Sequence, residues 1–143
     1  MKEMANYYAF IRSNYFSVTD ETRFREIIAS CLGSDEAIRI FESSDGSGKF
    51  GFGCYGSISG VPDDEDDPDD YDVDAFYEAL QEVLVEGDAI IITEIGYEKL
   101  RYLIGVCTII TKREIQFVNL SDRAVALACE MLGNADFQTQ MDY

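Results

Sequence analysis

Between Lys49 and Lys99 the chain has no basic residue: Phe50 to Glu98 holds fifteen acids and neither Lys nor Arg. This absence constrains the fold more than any motif does. Burying a carboxylate without a partner costs several kcal/mol, so whatever the segment forms must keep one wet, acidic side. The flanks carry thirteen acids against eleven bases, so nearly all of the formal net charge of −17 belongs to this one third of the chain.

The densest part, "VPDDEDDPDDYDVD", puts Asp63, Asp64, Glu65, Asp66, Asp67, Asp69, Asp70, Asp72 and Asp74 within twelve residues. Alone, positions 61–72 read as a solvated acidic loop, because neighbouring carboxylates repel one another and Pro62 and Pro68 resist regular structure. As a calcium loop the stretch fits badly. Pro68 stands where the sharp turn needs Gly, no helix signal precedes Asp63, and an Asp rather than a Glu falls at the twelfth position.

The run leads straight into "DVDAFYEALQEVLVEG". There Val73, Phe76, Tyr77, Leu80, Val83 and Leu84 form an apolar stripe at helical spacing, with Asp72 as N-cap and Gly87 as the stop. Asp74, Glu78, Glu82 and Glu86 recur every four residues on the other side, which sets their Cβ atoms roughly 6 Å apart on one face. Ordinary solvated helix faces mix such acids with Lys or Arg, and this one does not. A rigid row of carboxylates beside an acidic loop has a charge spacing on the scale of a nucleic-acid duplex, which carries one charge per about 1.7 Å of axis.

The remainder of the chain supplies the core. With 47% hydrophobic residues, nine Phe and nine Tyr in 143 residues, it reads as a single domain over 1–143 rather than a disordered polymer. "NYYAFIRSNYFSV" predicts one strand or two short ones, its aromatic residues Tyr7, Tyr8, Phe10, Tyr15 and Phe16 serving as core. Thr19 or Asp20 caps a helix with Phe24, Ile27, Ile28, Cys31 and Leu32 inward and Gly33 as its stop. "EAIRIFES" and "KFGFGCYG" flank the turn "SDGSG" as a hairpin. "DAIIITEI" suits a central strand buried on both sides, "EKLRYLIGVCTIIT" a second strand, and "EIQFVNL" a third after the turn "KR". Ser121 opens a last helix with Val125, Ala128, Met131 and Leu132 inward and Gly133 closing it, followed by a loose tail over 134–143. The order, roughly β(β)-α-β-β-α-β-β-β-α, predicts an α+β fold: a mixed or mainly antiparallel sheet of five to six strands with two to three helices, packed mainly on one face.

Several function classes are disfavoured. A field this acidic repels nucleic acid and anionic membrane and attracts basic proteins. No window has the apolar length of a signal peptide or a spanning helix, so a cytoplasmic protein is expected. With no His, neither Ser-His nor Cys-His catalysis can be assembled, and no motif singles out a carboxylate pair; a non-enzymatic protein without metal or cofactor is expected. Gly46, Gly48 and Gly51 match GxGxxG, but they sit between two strands, whereas a dinucleotide site needs a helix after the loop. Cys31, Cys54, Cys107 and Cys129 form no CxxC pair and read as reduced thiols on apolar faces. Tyr55, Tyr71 and Tyr77 lie among acids, a mixture suited to an Arg-rich groove.

The segments "NYYAFIRSNYFSVTDETRFREI", "EGDAIIITEIGYEKLRYLIGVCTII" and "EIQFVNLSDRA" resemble a group of small acidic proteins of phages, plasmids and integrative elements, over most of the chain outside Val61 to Asp70. That setting includes inhibitors of host restriction and CRISPR nucleases, some of them DNA mimics. The resemblance assigns no functional residue. The resulting expectation is a non-catalytic acidic decoy in a bacterial host's cytoplasm. It would occupy the basic nucleic-acid channel of a defence nuclease, anti-CRISPR or anti-restriction in kind, through Asp63 to Asp74 and the Asp74, Glu78, Glu82, Glu86 row. An immunity protein or antitoxin against a basic nuclease toxin, a calcium-binding module, and a structural protein kept soluble by its acids are the alternatives.

Overall fold

The computed structural model describes residues 7–64 and 67–141, and the side chains in that span other than those of 64–69. The fold is α+β, with three helices and two antiparallel sheets. The larger sheet has six strands: β1 (Tyr7–Ser13), β3 (Arg39–Glu42), β4 (Phe50–Tyr55), β7 (Ile90–Glu98), β8 (Tyr102–Ile110) and β9 (Ile115–Asn119), in spatial order β3-β4-β1-β7-β8-β9. A second sheet, absent from the expected order, joins β2 (Leu32–Gly33), β5 (Ile58–Asp64) and β6 (Asp67–Asp72) in the order β2-β5-β6.

Helix α1 (Glu21–Ser30) starts where Asp20 accepts a hydrogen bond from Arg23 N. It ends at Ser30, before Gly33, because Leu32 and Gly33 leave it to pair with β5. Helix α2 (Val73–Val83) and helix α3 (Leu120–Leu132) follow β6 and β9 without a loop. Asn119 caps α3, and Gly133 closes it in the left-handed region at φ 65°.

One core holds the layers together. Phe24, Ile27 and Ile28 of α1 and Phe76, Leu80 and Val83 of α2 pack on the sheet residues Ile11, Phe50, Phe52, Ile90, Ile92 and Ile110. Phe16 sits at the centre with no exposure and meets Phe24 and Phe52 edge-on, at 5.6 and 6.1 Å between ring centroids. Fully buried rings of this kind bring the largest apolar areas a core can use. Among the described residues no helix is long and apolar enough to cross a membrane.

Three expectations about the core are corrected. First, β7 is central but covered on one side only: Ile90 and Ile92 are buried, whereas Ile91 and Ile95 are exposed. Helices α1 and α2 cover one face of the sheet; on the other, among the described residues, helix cover is limited to the start of α3, where Leu120 rests on Gly105. Second, of the N-terminal aromatics only Phe16 is fully buried, while Tyr8, Phe10 and Tyr15 are exposed, because they alternate onto the uncovered face or lie at its end. Third, α3 buries no residue at all; Met131, expected inward, is 87% exposed, and Leu132 is exposed as well. The helix leaves the sheet edge at β9 and touches the body mainly through Leu120, which rests over Gly105 of β8. The following residues fold back against it, with Cys129 Sγ 3.5 Å from the Phe137 carbonyl.

The GxGxxG glycines lie in the β3–β4 connection and on β4, as a hairpin requires. Asp45 accepts from the Ser43 hydroxyl and Ser47 N there, and the serines hold its carboxyl down at about 2.

Candidate acidic docking face

The acidic stretch is not a loop over 61–72. It is the β5–β6 hairpin, with Val61 opposite Asp72, Pro62 opposite Tyr71 and Asp64 opposite Asp67, and a register shift between Pro62 and Asp64. Both prolines are accommodated because the hairpin lies at a sheet margin and is irregular there, where a missing N–H is tolerated. Of the twelve positions from Asp63, those described run through strand into helix, which is not the form of a loop between two helices that a calcium-binding EF-hand takes.

Helix α2 continues the hairpin directly. Asp72, the last residue of β6, turns its side chain onto Ala75 N at 3.1 Å and so begins the helix. Gly60 of β5 lies against this junction at φ 115°; a Cβ there would collide with the Asp72 carbonyl and Val73 N. Only glycine combines that backbone angle with that closeness, so the hairpin and the helix start are locked together. Phe76 then anchors the helix on Phe52 at 5.9 Å, and Tyr77 packs at a tilt against Phe117 of β9 at 6.1 Å. Burial pushes the Tyr77 phenol up from its usual range.

Asp74, Glu78 and Glu82 are exposed along the outer side of α2. Glu86 is exposed too but is not on the helix. Leu84 leaves the helix at Val83 to pair with Val18 and is fully buried there, while Val85 N donates to the Ser17 carbonyl. The expected row of four carboxylates on one helix is thus three, with Glu86 in the turn beyond. Asp63 is exposed, and Asp70 and Asp72 are half-buried. The backbones of Asp64, Asp67 and Asp69 are placed in the hairpin, their side chains lie outside the description, and Glu65 and Asp66 lie outside the described residues.

Among the described residues, none of Asp63, Asp70, Asp74, Glu78, Glu82 and Glu86 takes part in an ion pair. The ion pairs gather elsewhere, on α1 and β3: Arg25 with Glu21 and Glu42, Arg23 with Glu26, and Arg39 with Glu36. Lys112 donates at 2.7 Å to the backbone carbonyl of Glu82, which is a helix C-terminal contact and not an answer to the carboxylate row. Other acids of the base-free segment serve the fold. Asp88 accepts from Ser17 N and Ala89 N, and Glu94 accepts from the Tyr7 hydroxyl at 2.8 Å and the Ser57 hydroxyl at 3.1 Å. Burial and that carboxylate raise the Tyr7 phenol.

A second surface was not anticipated. The uncovered face of the six-stranded sheet is apolar and aromatic, and its centre is the row Tyr8–Tyr97, with rings 5.6 Å apart, and Phe10 between Ile95 and Tyr55. The available signal was a count: two helices of about three turns cover one face of six strands, so a β7 apolar at both alternations must leave one side open.

The fold and these two surfaces define an antiparallel α+β protein with an acidic hairpin–helix face and an open apolar sheet. Compared with family models, with curated proteins and with solved structures, the chain matches none.

Proposed function

We propose that this protein is a non-catalytic acidic inhibitor that imitates nucleic acid. It docks the β5–β6 hairpin and the outer side of α2 into the positively charged nucleic-acid groove of a host defence nuclease of the CRISPR or restriction kind. The supporting observation is that, among the described residues, Asp63, Asp70, Asp74, Glu78, Glu82 and Glu86 form no ion pair and stand on or beside elements locked together at Gly60 and Asp72. Effector channels of this kind hold nucleic acid through its backbone charge, so regularly spaced carboxylates compete for the same Lys and Arg. The rigid helix supplies register and the hairpin supplies field and reach. Association is fast and falls with salt, as expected when charge steers the encounter.

The test is capture from a panel of CRISPR and restriction nucleases at low and high salt, with wild type and the triple variant Asp74→Lys, Glu78→Lys, Glu82→Lys. The variant loses binding while its thermal melt stays cooperative, and wild-type affinity drops steeply with salt. Undiminished binding by the variant, or an affinity indifferent to salt, overturns the proposal.

A further inference from the structure

The open sheet face is as distinctive for what it lacks as for what it presents. Cross-strand partners point to the same side, so the registers give its composition strand by strand. β7 contributes Ile91, Thr93, Ile95 and Tyr97, and these stand beside Ile109, Cys107, Gly105 and Leu103 of β8. β1 contributes Tyr8, Phe10 and Arg12, beside Tyr55 and Gly53 of β4. β3 adds Arg39 and Phe41, and β9 adds Gln116 and Val118. No strand position facing this side is Asp or Glu, in a chain with 28 acids. Its strand positions carry two charges, Arg12, over the rings of Phe41 at 4.7 Å and Tyr15 at 5.5 Å, and Arg39, over Tyr55 and paired with Glu36, while Asp35, Glu36 and Glu114 stand at the margins beside Tyr97, Phe41 and Gln116.

We infer that this face is the homodimer interface, with a second copy of the chain as its occupant. Three observations select that occupant. The first is electrostatic: two copies each carrying −17 repel through every acidic surface, and the strand positions of this face offer a broad area on which they meet without opposing carboxylates, with Asp35, Glu36 and Glu114 at its margins. The second is size. Six strands spaced about 4.8 Å apart and about seven residues long span on the order of 550 Å² in projection, so two such faces together come to about 1,100 Å², above the roughly 1,000 Å² that a specific interface needs, before α3 is added.

The third is α3, an amphipathic helix with nothing buried and with Leu127, Met131 and Leu132 exposed. A two-fold axis parallel to the strands lays the β9 edge of one copy over the β3 edge of the other. That brings each α3, with its exposed Leu127, Met131 and Glu130, toward the partner's Phe41, Tyr55, Arg12 and Arg39. Both unpartnered surfaces are then covered, and unlike charges meet at the rim. Because α2 lies on the opposite side of the sheet, the dimer keeps both acidic faces outward.

The experiment is sedimentation equilibrium of the intact chain over a range of concentrations extending well above micromolar, at physiological salt. Wild type gives a mass near twice 16.1 kDa. Ile95→Glu, at the centre of the face, and Met131→Glu, on α3, each weaken dimerisation by about tenfold or more, as charges placed in an apolar interface core do. Both positions are exposed in the single chain, so cooperative melts persist and a monomeric variant is a folded one. The Asp74→Lys, Glu78→Lys, Glu82→Lys variant still dimerises. A wild type that stays monomeric throughout, a dimer that survives Ile95→Glu or Met131→Glu, or a monomer that instead binds another protein through Ile95 each overturns the inference.

Discussion

Cys31 shows how one residue reports on the whole fold. It is the C-cap of α1, is 6% exposed, and is shut in beneath the second sheet, where burial pushes its thiol up to about 12 from 9.0. A group whose folded value is raised keeps its full contribution below the unfolded value and loses it as the pH climbs toward the folded one. Stability to urea therefore holds to about pH 9 and declines between 9 and 12, and Cys31→Ala, though weaker at neutral pH, shows a shallower alkaline decline. Equal slopes in the two proteins would assign the loss to other groups. That Cys31 is buried was legible from its helical spacing with Phe24, Ile27 and Ile28. Its place at the end of α1 was not, because Gly33 is the stronger stop signal and only the pairing of Leu32 with β5, a partner 28 residues away, ends the helix sooner.

At the level of elements, α2 divides its residues sharply between a holding side and a presenting side. Phe76 is fully buried against Phe52, so Phe76→Ala costs about 3–5 kcal/mol in denaturant unfolding, whereas Glu78→Ala on the outer side stays within about 0.5 kcal/mol. A comparable loss for both would mean the helix is seated differently. The stripe, the Asp72 cap and the unanswered acids of this helix were readable from spacing alone, because a local periodicity of 3.6 is written in consecutive residues. The end of the helix at Val83 and the hairpin before it were not. Leu84 gives up its helical place for a bridge to Val18, and the strands at 58–64 and 67–72 form in spite of two prolines and like charge, since β2 and α2 offer partners no local rule foresees. The same limit explains α3: its amphipathic pattern announces a helix that needs covering, and the pattern cannot say whether the cover belongs to the same chain.

For the whole molecule, the excess of acids on one side of the body acts against compaction. Self-repulsion among exposed carboxylates is relieved by counterions, so raising salt from low to about 0.5 M increases the melting temperature of the isolated protein, by screening over a Debye length of a few Å. Scanning calorimetry at the two salts checks this, and a melting temperature that falls with salt would assign stability to the ion pairs on α1 and β3 instead. The class of fold, its single core and the side of α2 that faces outward were all foreseeable, since composition and alternation decide them. The open sheet was not, because a strand apolar on both sides looks the same whether its second side meets a helix or a neighbour. One consequence of that arrangement concerns orientation. With Arg12 and Arg39 as the charges of the outer face's strand positions, and the carboxylates of α2 directed the opposite way, each chain by itself is an electric dipole whose axis runs through the sheet. In the pair the two axes oppose and cancel and an acidic face points outward on either side, so a basic surface meets carboxylates from both directions and the encounter needs no turn of the body.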